Sequence, residues 1–133
     1  MTLIVLPGKI TDAENCAKIV NYWIKNTSWM PCLYSQSELS LMIKEAIPKR
    51  EFWVVNRPAI GYLSFDIRLS QVVALYSRAP GKGIGKLLLD HIKTRYKNIH
   101  LWSHSANKEA HKFYYREGFR LVDFKEVGQE LLR

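Results

Sequence analysis

The chain has 133 residues, 47% of them hydrophobic, so it is long enough to bury a core and too apolar to be disordered. No apolar run approaches the roughly 20 residues that a membrane helix needs, and the apolar first six residues lack the basic flank of a signal peptide. The net charge of +8 suits a phosphate-rich partner, and two cysteines without metal-ligand spacing indicate reduced thiols in a cytoplasmic protein.

The first part of the chain is predicted to form one strand and two helices. Residues 3–6 form an apolar strand-like run. Thr11–Glu14 has the pattern of a capping box, with apolar residues at helical spacing behind it. Ser35–Glu38 is a second capping box in front of a second helix, which Pro48 is expected to end.

The middle of the chain predicts three strands, a helix and a fourth strand. Strand-forming residues occur at 52–55, 60–67 and 72–76, and the short turns between them predict an antiparallel meander. A glycine-rich turn then leads into a helix that ends near Lys97. Residues 99–102 form the next strand, and because a helix precedes it, we expect it to lie parallel to the strand at 72–76.

The last predicted elements are a helix over residues 106–117 and a closing strand over 119–124, with Gly118 as the helix stop. Residues 125–133 are expected either to add a short final strand or to stay loose. This order of strands and helices predicts one α/β domain, residues 1–133, with a single mixed sheet.

Three glycines, Gly81, Gly83 and Gly85, mark the turn from a buried strand into a helix. Glycine lets a ligand approach the backbone because no Cβ stands in the way. The unpaired amides and the dipole of a helix N-terminus attract anions, which predicts a diphosphate site. The spacing matches neither a Walker loop nor a dinucleotide fingerprint, and a plain turn is the alternative interpretation of the glycines alone.

A second motif begins at Asn107 and reads Asn-Lys-Glu-Ala-His-Lys-Phe-Tyr-Tyr-Arg-Glu-Gly-Phe. Together with the glycine turn, it closely resembles the GNAT superfamily of acetyl-CoA-dependent N-acetyltransferases, whose pattern is Asn-x-x-Ala-x-x-Phe-Tyr followed by Gly-Phe. The resemblance covers essentially the whole chain, and residues 75–119 carry its motifs. It implies a mixed, mostly antiparallel sheet with helices on both faces and a parallel strand pair that splays apart.

The resemblance implies acetyl-CoA as co-substrate. Main-chain amides after the glycines would hold its diphosphate, and the strand that ends at Ser77 would pair with its pantetheine arm. Asn107 would hydrogen-bond the same arm, with helix capping as its alternative role. The implied binding residues are Leu75, Tyr76, Ser77, Gly81, Lys82, Gly83, Ile84, Gly85, Lys86, Asn107 and Tyr114.

One position departs from the family pattern. Pro80 stands where the family usually has Arg or Gln before the glycines. Because proline has no N–H, one phosphate donor is missing. We still expect a diphosphate site, and whether Pro80 weakens it stays open.

The implied reaction is direct attack of a primary amine on the acetyl carbonyl through a tetrahedral intermediate. The Ser77 backbone amide would face the thioester oxygen, and Tyr114 would be the general acid that protonates the leaving thiolate. Tyr115 is a rival acid one residue away. For the base, the sequence leaves three choices open: Asp66, His104 or a chain of waters.

The acceptor pocket is expected between the first two helices, at residues 26–36. Trp29, Tyr34 and Tyr62 are its candidate walls, although core packing explains the same residues equally well. No histidine or cysteine spacing predicts a metal site.

The acceptor is expected to be a small amine or a protein amino group. An acetyl-CoA-binding sensor without efficient catalysis is the alternative function. A nucleic-acid-binding protein is a third hypothesis, which no motif supports, so neither nucleic acid nor membrane is an expected partner. The chain is expected to be a monomer or a homodimer, in which an exposed last strand would pair with its copy.

Overall fold

The computed structural model describes residues 2–79, 81–125 and 129–133. Its helices are α1 (Ala13–Lys25), α2 (Gln36–Ala46), α3 (Ile84–Arg95) and α4 (Lys108–Arg116). Its strands are β1 (Val5–Pro7), β2 (Glu51–Val55), β3 (Gly61–Asp66), β4 (Gln71–Ser77), β5 (His100–His104), β6 (Leu121–Lys125) and β7 (Gln129–Leu132).

All of these strands lie in one sheet, in the order β1-β2-β3-β4-β5-β7-β6. Among the described strand pairs, β4 and β5 are parallel and the others are antiparallel. The predicted meander of β2, β3 and β4 is confirmed, as is the parallel strand reached through α3. Tight turns join the meander strands, with Asn56 at φ 62° and Ser70 at φ 52°.

Helices cover both faces of the sheet. Successive strand residues point to opposite sides, so apolar side chains on each face pack against helices there. On β3, Leu63 and Phe65 belong to a core that α3 completes, with Tyr114 of α4 packed against it. Tyr62, which directly precedes Leu63, belongs to a second core formed with α1 and α2. The mixed sheet with helices on both faces is therefore confirmed.

The first helix does not begin as predicted. A 3-10 turn over Ile10–Asp12 precedes α1, and the Thr11–Glu14 capping box does not form. Asp12 Oδ2 instead accepts a hydrogen bond from Lys9 N at 2.8 Å and lies 2.9 Å from Arg57 Nη2. The carboxylate is buried, so the guanidinium from the β2–β3 turn offsets its loss of hydration.

The second capping box is confirmed. Ser35 Oγ accepts a hydrogen bond from Glu38 N at 3.1 Å, and Glu38 Oε1 accepts one from Ser35 N at 3.0 Å. Both side chains therefore satisfy amides at the start of α2 that would otherwise be unpaired.

The end of the described chain enters the sheet instead of lying at its rim. β7 pairs with β5 on one side and with β6 on the other, through Leu101↔Leu132 and Leu121↔Leu132. Leu132 is completely buried. The predicted closing strand at 119–124 corresponds to β6, which occupies the edge of the sheet, whereas the short final strand β7 lies inside it.

In the part of the chain that the structure describes, the helices are all too short or too polar to cross a bilayer.

Candidate active site

The parallel strands β4 and β5 separate soon after they meet. Their pairing consists of Gln71↔His100 and Val72↔Leu101. From there β4 continues to Ser77 along β3 alone, while β5 continues to His104 along β7. The splayed pair that the family resemblance implies is therefore present, and it opens a gap in the sheet.

The backbone at the end of β4 faces this gap at alternate residues. Arg78 N donates to Ile60 O at 2.8 Å, and Tyr76 lies opposite Tyr62, so these residues direct their amides toward β3. In an antiparallel ladder the intervening residues face the other side. The N–H and C=O groups of Leu75 and Ser77 therefore point into the gap.

The glycine turn needs glycine for its backbone conformation. Gly81 and Gly83 both have φ 78°, a left-handed value that strains other residues. Gly83 is the N-cap of α3, and its carbonyl accepts the hydrogen bond from Leu87 N. The first amides of α3 therefore point out of the helix end. Pro80, the position of the expected missing donor, lies outside the described residues.

A groove of about 650 Å³ passes through the gap and joins the two faces of the sheet. Tyr114 enters it from the α3 side, and Trp23 of α1 lines it from the other side. Of the predicted site residues, the groove brings together Leu75, Tyr76, Ser77, Gly81, Gly83, Ile84, Gly85, Lys86, His104, Asn107 and Tyr114. Lys82 is not part of its described lining.

Tyr114 is half-buried, with ring centroids 5.3 Å from Phe113 and 5.7 Å from Phe119. Burial raises the pKa of its phenol well above the ordinary value, and the neighbouring Tyr76 raises the pKa further. Both effects keep the proton on Tyr114 at neutral pH. Tyr115, the rival acid, is exposed and lies outside the described groove lining.

Asn107 caps the helix that carries Tyr114. Its side-chain oxygen accepts a hydrogen bond from Ala110 N at 3.3 Å. The cap uses only the oxygen, so the side-chain amide nitrogen keeps its donors for a ligand. The two roles considered for Asn107 are therefore compatible.

Lys86 has carboxylate partners of its own. Its Nζ lies 2.9 Å from Glu117 Oε1 and 3.3 Å from Asp90 Oδ2. Hydrogen bonds to these two carboxylates raise the pKa of Lys86. The charge expected to meet a diphosphate is thus shared with Glu117, a groove residue that sequence reasoning missed because it lies 31 positions away.

Aromatic rings line the other end of the groove. The ring centroid of Trp23 lies 5.6 Å from that of Tyr76 and 5.7 Å from that of Trp29. The ring centroids of Trp29 and His104 are 5.2 Å apart. Trp23 was missed as a site residue, since its place on the apolar face of α1 indicated only core packing.

The other predicted acceptor residues lie elsewhere. Tyr62 is buried behind Tyr76, with ring centroids 5.6 Å apart, and Tyr34 is exposed. Neither belongs to the described lining of the groove. Trp29 is therefore the predicted acceptor residue that contacts the groove wall.

Asp66 is excluded as a base by its position. Its Oδ1 accepts a hydrogen bond from Leu69 N at 3.1 Å in the β3–β4 turn. It pairs with Gln71 at the start of β4, roughly 20 Å from Ser77 at about 3.3 Å per residue. His104, by contrast, lies on the groove wall.

Within residues 2–79, 81–125 and 129–133, no three His, Cys, Asp or Glu side chains are grouped so that they could hold a metal ion.

Comparison with known proteins finds related sequences and folds. The family model for the acetyltransferase (GNAT) domain matches residues 48–121. The peptidyl-lysine N-acetyltransferase YiaC of Escherichia coli (strain K12) is 24% identical over 112 residues, which cover 79% of this chain and 77% of YiaC.

Two solved structures show the same fold. PaiA N-acetyltransferase from Thermoplasma acidophilum, in complex with coenzyme A, has a TM-score of 0.82 at 19% identity, over 100% of this chain and 99% of that chain. A phosphinothricin acetyltransferase from Sinorhizobium meliloti, in complex with AcCoA, has a TM-score of 0.75 at 19% identity, over 99% and 87% of the two chains.

Proposed function

Because the chain belongs to the GNAT acetyltransferase family, we propose that it moves an acetyl group from acetyl-CoA to a primary amine. The observation that carries this proposal is the gap between β4 and β5. There the free main-chain groups of Leu75 and Ser77 share one groove with the glycine turn and Tyr114.

The residues present fit acetyl-CoA by their donors and their shape. The first amides of α3 suit a diphosphate, and the absence of side chains at Gly81 and Gly83 lets it approach closely. The alternating N–H and C=O groups of Leu75 and Ser77 suit an amide-containing arm, which would bind as an added strand. The Asn107 side-chain amide supplies a further donor.

The reaction requires a new C–N bond and the loss of the C–S bond. The neutral amine nitrogen attacks the acetyl carbon, and negative charge collects on the carbonyl oxygen. We assign the Ser77 N–H to that oxygen, a role worth about 2.7–4 kcal/mol in comparable sites. When the intermediate collapses, the sulfur leaves with the electron pair and accepts a proton, which gives the amide and free coenzyme A.

Tyr114 supplies that proton in our proposal. A phenol is a weaker acid than a thiol in water, and burial weakens it further. The same low-polarity groove also disfavours a bare thiolate, so burial raises the pKa of both acids and favours a protonated leaving group. After attack the nitrogen carries one proton too many, and this second proton replaces the one lost by Tyr114, so the enzyme returns to its starting state.

The acceptor arrives mainly as an ammonium ion, and the proton that it loses before attack leaves through His104 in our proposal, either directly or through water. His104 is the imidazole at the aromatic end of the groove, where the amine would enter. The acidic residues of the described lining, Glu109 and Glu117, both lie on the α4 side.

An acetyl-CoA sensor without efficient catalysis is the second candidate. The observation that favours it is the lack of a carboxylate base at the aromatic end of the described groove lining. The two candidates predict the same cofactor binding and different turnover.

The test combines acetyl-CoA titration by calorimetry with thiol release across a panel of small amines and lysine-containing peptides. The panel includes peptides because the relative YiaC is named a peptidyl-lysine N-acetyltransferase. Binding with amine-dependent thiol release is expected. Binding without release would favour the sensor, and no binding would overturn both candidates.

A further inference from the structure

The groove has two chemically different ends. Its charged lining residues are Lys86, Glu109, Lys112, Arg116 and Glu117. All of them lie on α3, on α4 or directly after α4. At the opposite end, Trp23 and Trp29 form an aromatic wall with Tyr76 and His104.

The segment beside this aromatic wall is also uncharged. Residues 26–35, which join α1 to α2, contain no Asp, Glu, Lys or Arg, although the whole chain has 32 such residues, 20 basic and 12 acidic. Leu33 in this segment is 70% exposed and Trp29 is 36% exposed. An acceptor that approaches along this segment therefore meets aromatic, aliphatic and uncharged polar side chains.

This chemistry separates classes of amine. A polyamine is bound best where carboxylates pair with its second ammonium group, and an amino acid needs a cation for its carboxylate. The described wall supplies neither. A flat hydrocarbon ring, in contrast, gains both buried area and edge-to-face contacts from two indoles.

The wall also sets the reach of the acceptor. The Trp23 ring lies 5.6 Å from that of Tyr76, and Tyr76 directly precedes Ser77, whose amide faces the gap. An acceptor ring bound against Trp23 and Trp29 therefore lies close to the point in the gap where the acceptor nitrogen attacks the acetyl carbon. A short linker is then enough to bring the amine to the Ser77 amide.

We propose that the preferred acceptor is a primary amine carried on a short alkyl chain by a flat apolar ring, and that Trp29 and Trp23 select it. This inference rests on the proposed acetyltransferase function and adds the substrate class. Trp29 acts as the specificity residue, because its exposed ring extends the groove wall toward solvent.

The test compares kcat/KM for 2-phenylethylamine, n-butylamine, spermidine and a lysine peptide with acetyl-CoA in excess. We expect 2-phenylethylamine to be preferred over n-butylamine by about tenfold or more, as two aromatic contacts would give. Trp29→Ala is expected to remove most of this preference by raising the KM for 2-phenylethylamine, and Trp29→Phe is expected to retain the preference. Tyr22→Ala, an exposed aromatic of α1 outside the described groove lining, is the matched control.

Acetyl-CoA affinity and the thermal midpoint are measured on each variant, so that a misfolded protein is recognised. Equal kcat/KM for the ring and butyl amines, a preference for the peptide or for spermidine, or an unchanged preference in folded Trp29→Ala would overturn the inference alone. A lack of turnover with every amine, despite acetyl-CoA binding, would overturn the proposed function and the inference with it.

Discussion

Lys86 Nζ lies 2.9 Å from Glu117 Oε1, so an ion pair joins the first turn of α3 to the end of α4. The Glu117 side chain is only 6% exposed, and Lys93 Nζ donates to its backbone oxygen at 2.5 Å. Two lysines of the helix behind the glycine turn therefore hold the helix that carries Tyr114.

The first prediction concerns this ion pair. Lys86→Met should lower the thermal midpoint, because it leaves the buried Glu117 carboxylate without its lysine. The double variant Lys86→Met with Glu117→Gln should lower the thermal midpoint by less than the sum of the two single variants. A double-mutant cycle in thermal melts measures this difference. Additive losses would mean that the pair contributes nothing of its own.

The second prediction tests the assigned acid. Tyr114→Phe should lower kcat by about 10² or more, the range of a general acid, and leave acetyl-CoA affinity unchanged. Tyr115→Phe is the matched control, because it removes the neighbouring hydroxyl, and it should keep most of the activity. Steady-state thiol release and calorimetry measure the two effects. Equal activity of both variants would remove Tyr114 from the mechanism.

The third prediction is the pH profile. kcat/KM should rise with pH as the amine loses its proton, since the pKa of an alkylamine is about 10. The raised pKa of Tyr114 keeps the acid protonated, so its ionisation should cause no fall in rate below about pH 10. A descending limb at lower pH that Tyr114→Phe abolishes would contradict this assignment.

The fourth prediction tests His104 as the proton acceptor. His104→Gln should lower kcat/KM more at pH 7 than at pH 9, because at pH 9 more of the amine is already neutral and needs no base. The ratio of wild-type to variant kcat/KM at the two pH values is the measurement. A ratio that does not change with pH would assign His104 a packing role against Trp29.

The fifth prediction separates two glycines of the turn. Gly83→Ala should lower the free energy of unfolding by about 1 kcal/mol and weaken acetyl-CoA binding, because φ is 78° there. Gly85→Ala should not lower the free energy of unfolding, since its added Cβ would meet Phe113 at an ordinary 3.5 Å. Urea melts compare the two variants, and equal stability would show that the left-handed turn relaxes without cost.

Local patterns in the sequence were enough to predict most of the fold. Short turns fixed the antiparallel meander, and the helix between β4 and β5 fixed their parallel direction. The capping box at Ser35 formed as predicted because both partners lie within one turn. The box at Thr11 failed because a 3-10 turn over Ile10–Asp12 takes its place, and Asp12 of that turn pairs with Arg57, 45 positions along the chain.

The site shows the same difference between features encoded in a short stretch and features that depend on residues far apart in the chain. The glycine turn and Tyr114 could be predicted because each lies in a short motif. Trp23 could not, because its access to the groove depends on the splay of β4 and β5, which no local pattern encodes. The partner of Lys86 was equally hidden, since Glu117 approaches it only when α3 and α4 pack together.

The insertion of β7 between β5 and β6 has a consequence for biosynthesis. While the ribosome is still adding residues 129–132, β5 has no neighbour on the side that β7 will occupy, although α4 and β6 have already been made. The strand that carries His104 therefore gains this neighbour only after both motifs of the site have been made, because β7 follows them in the chain.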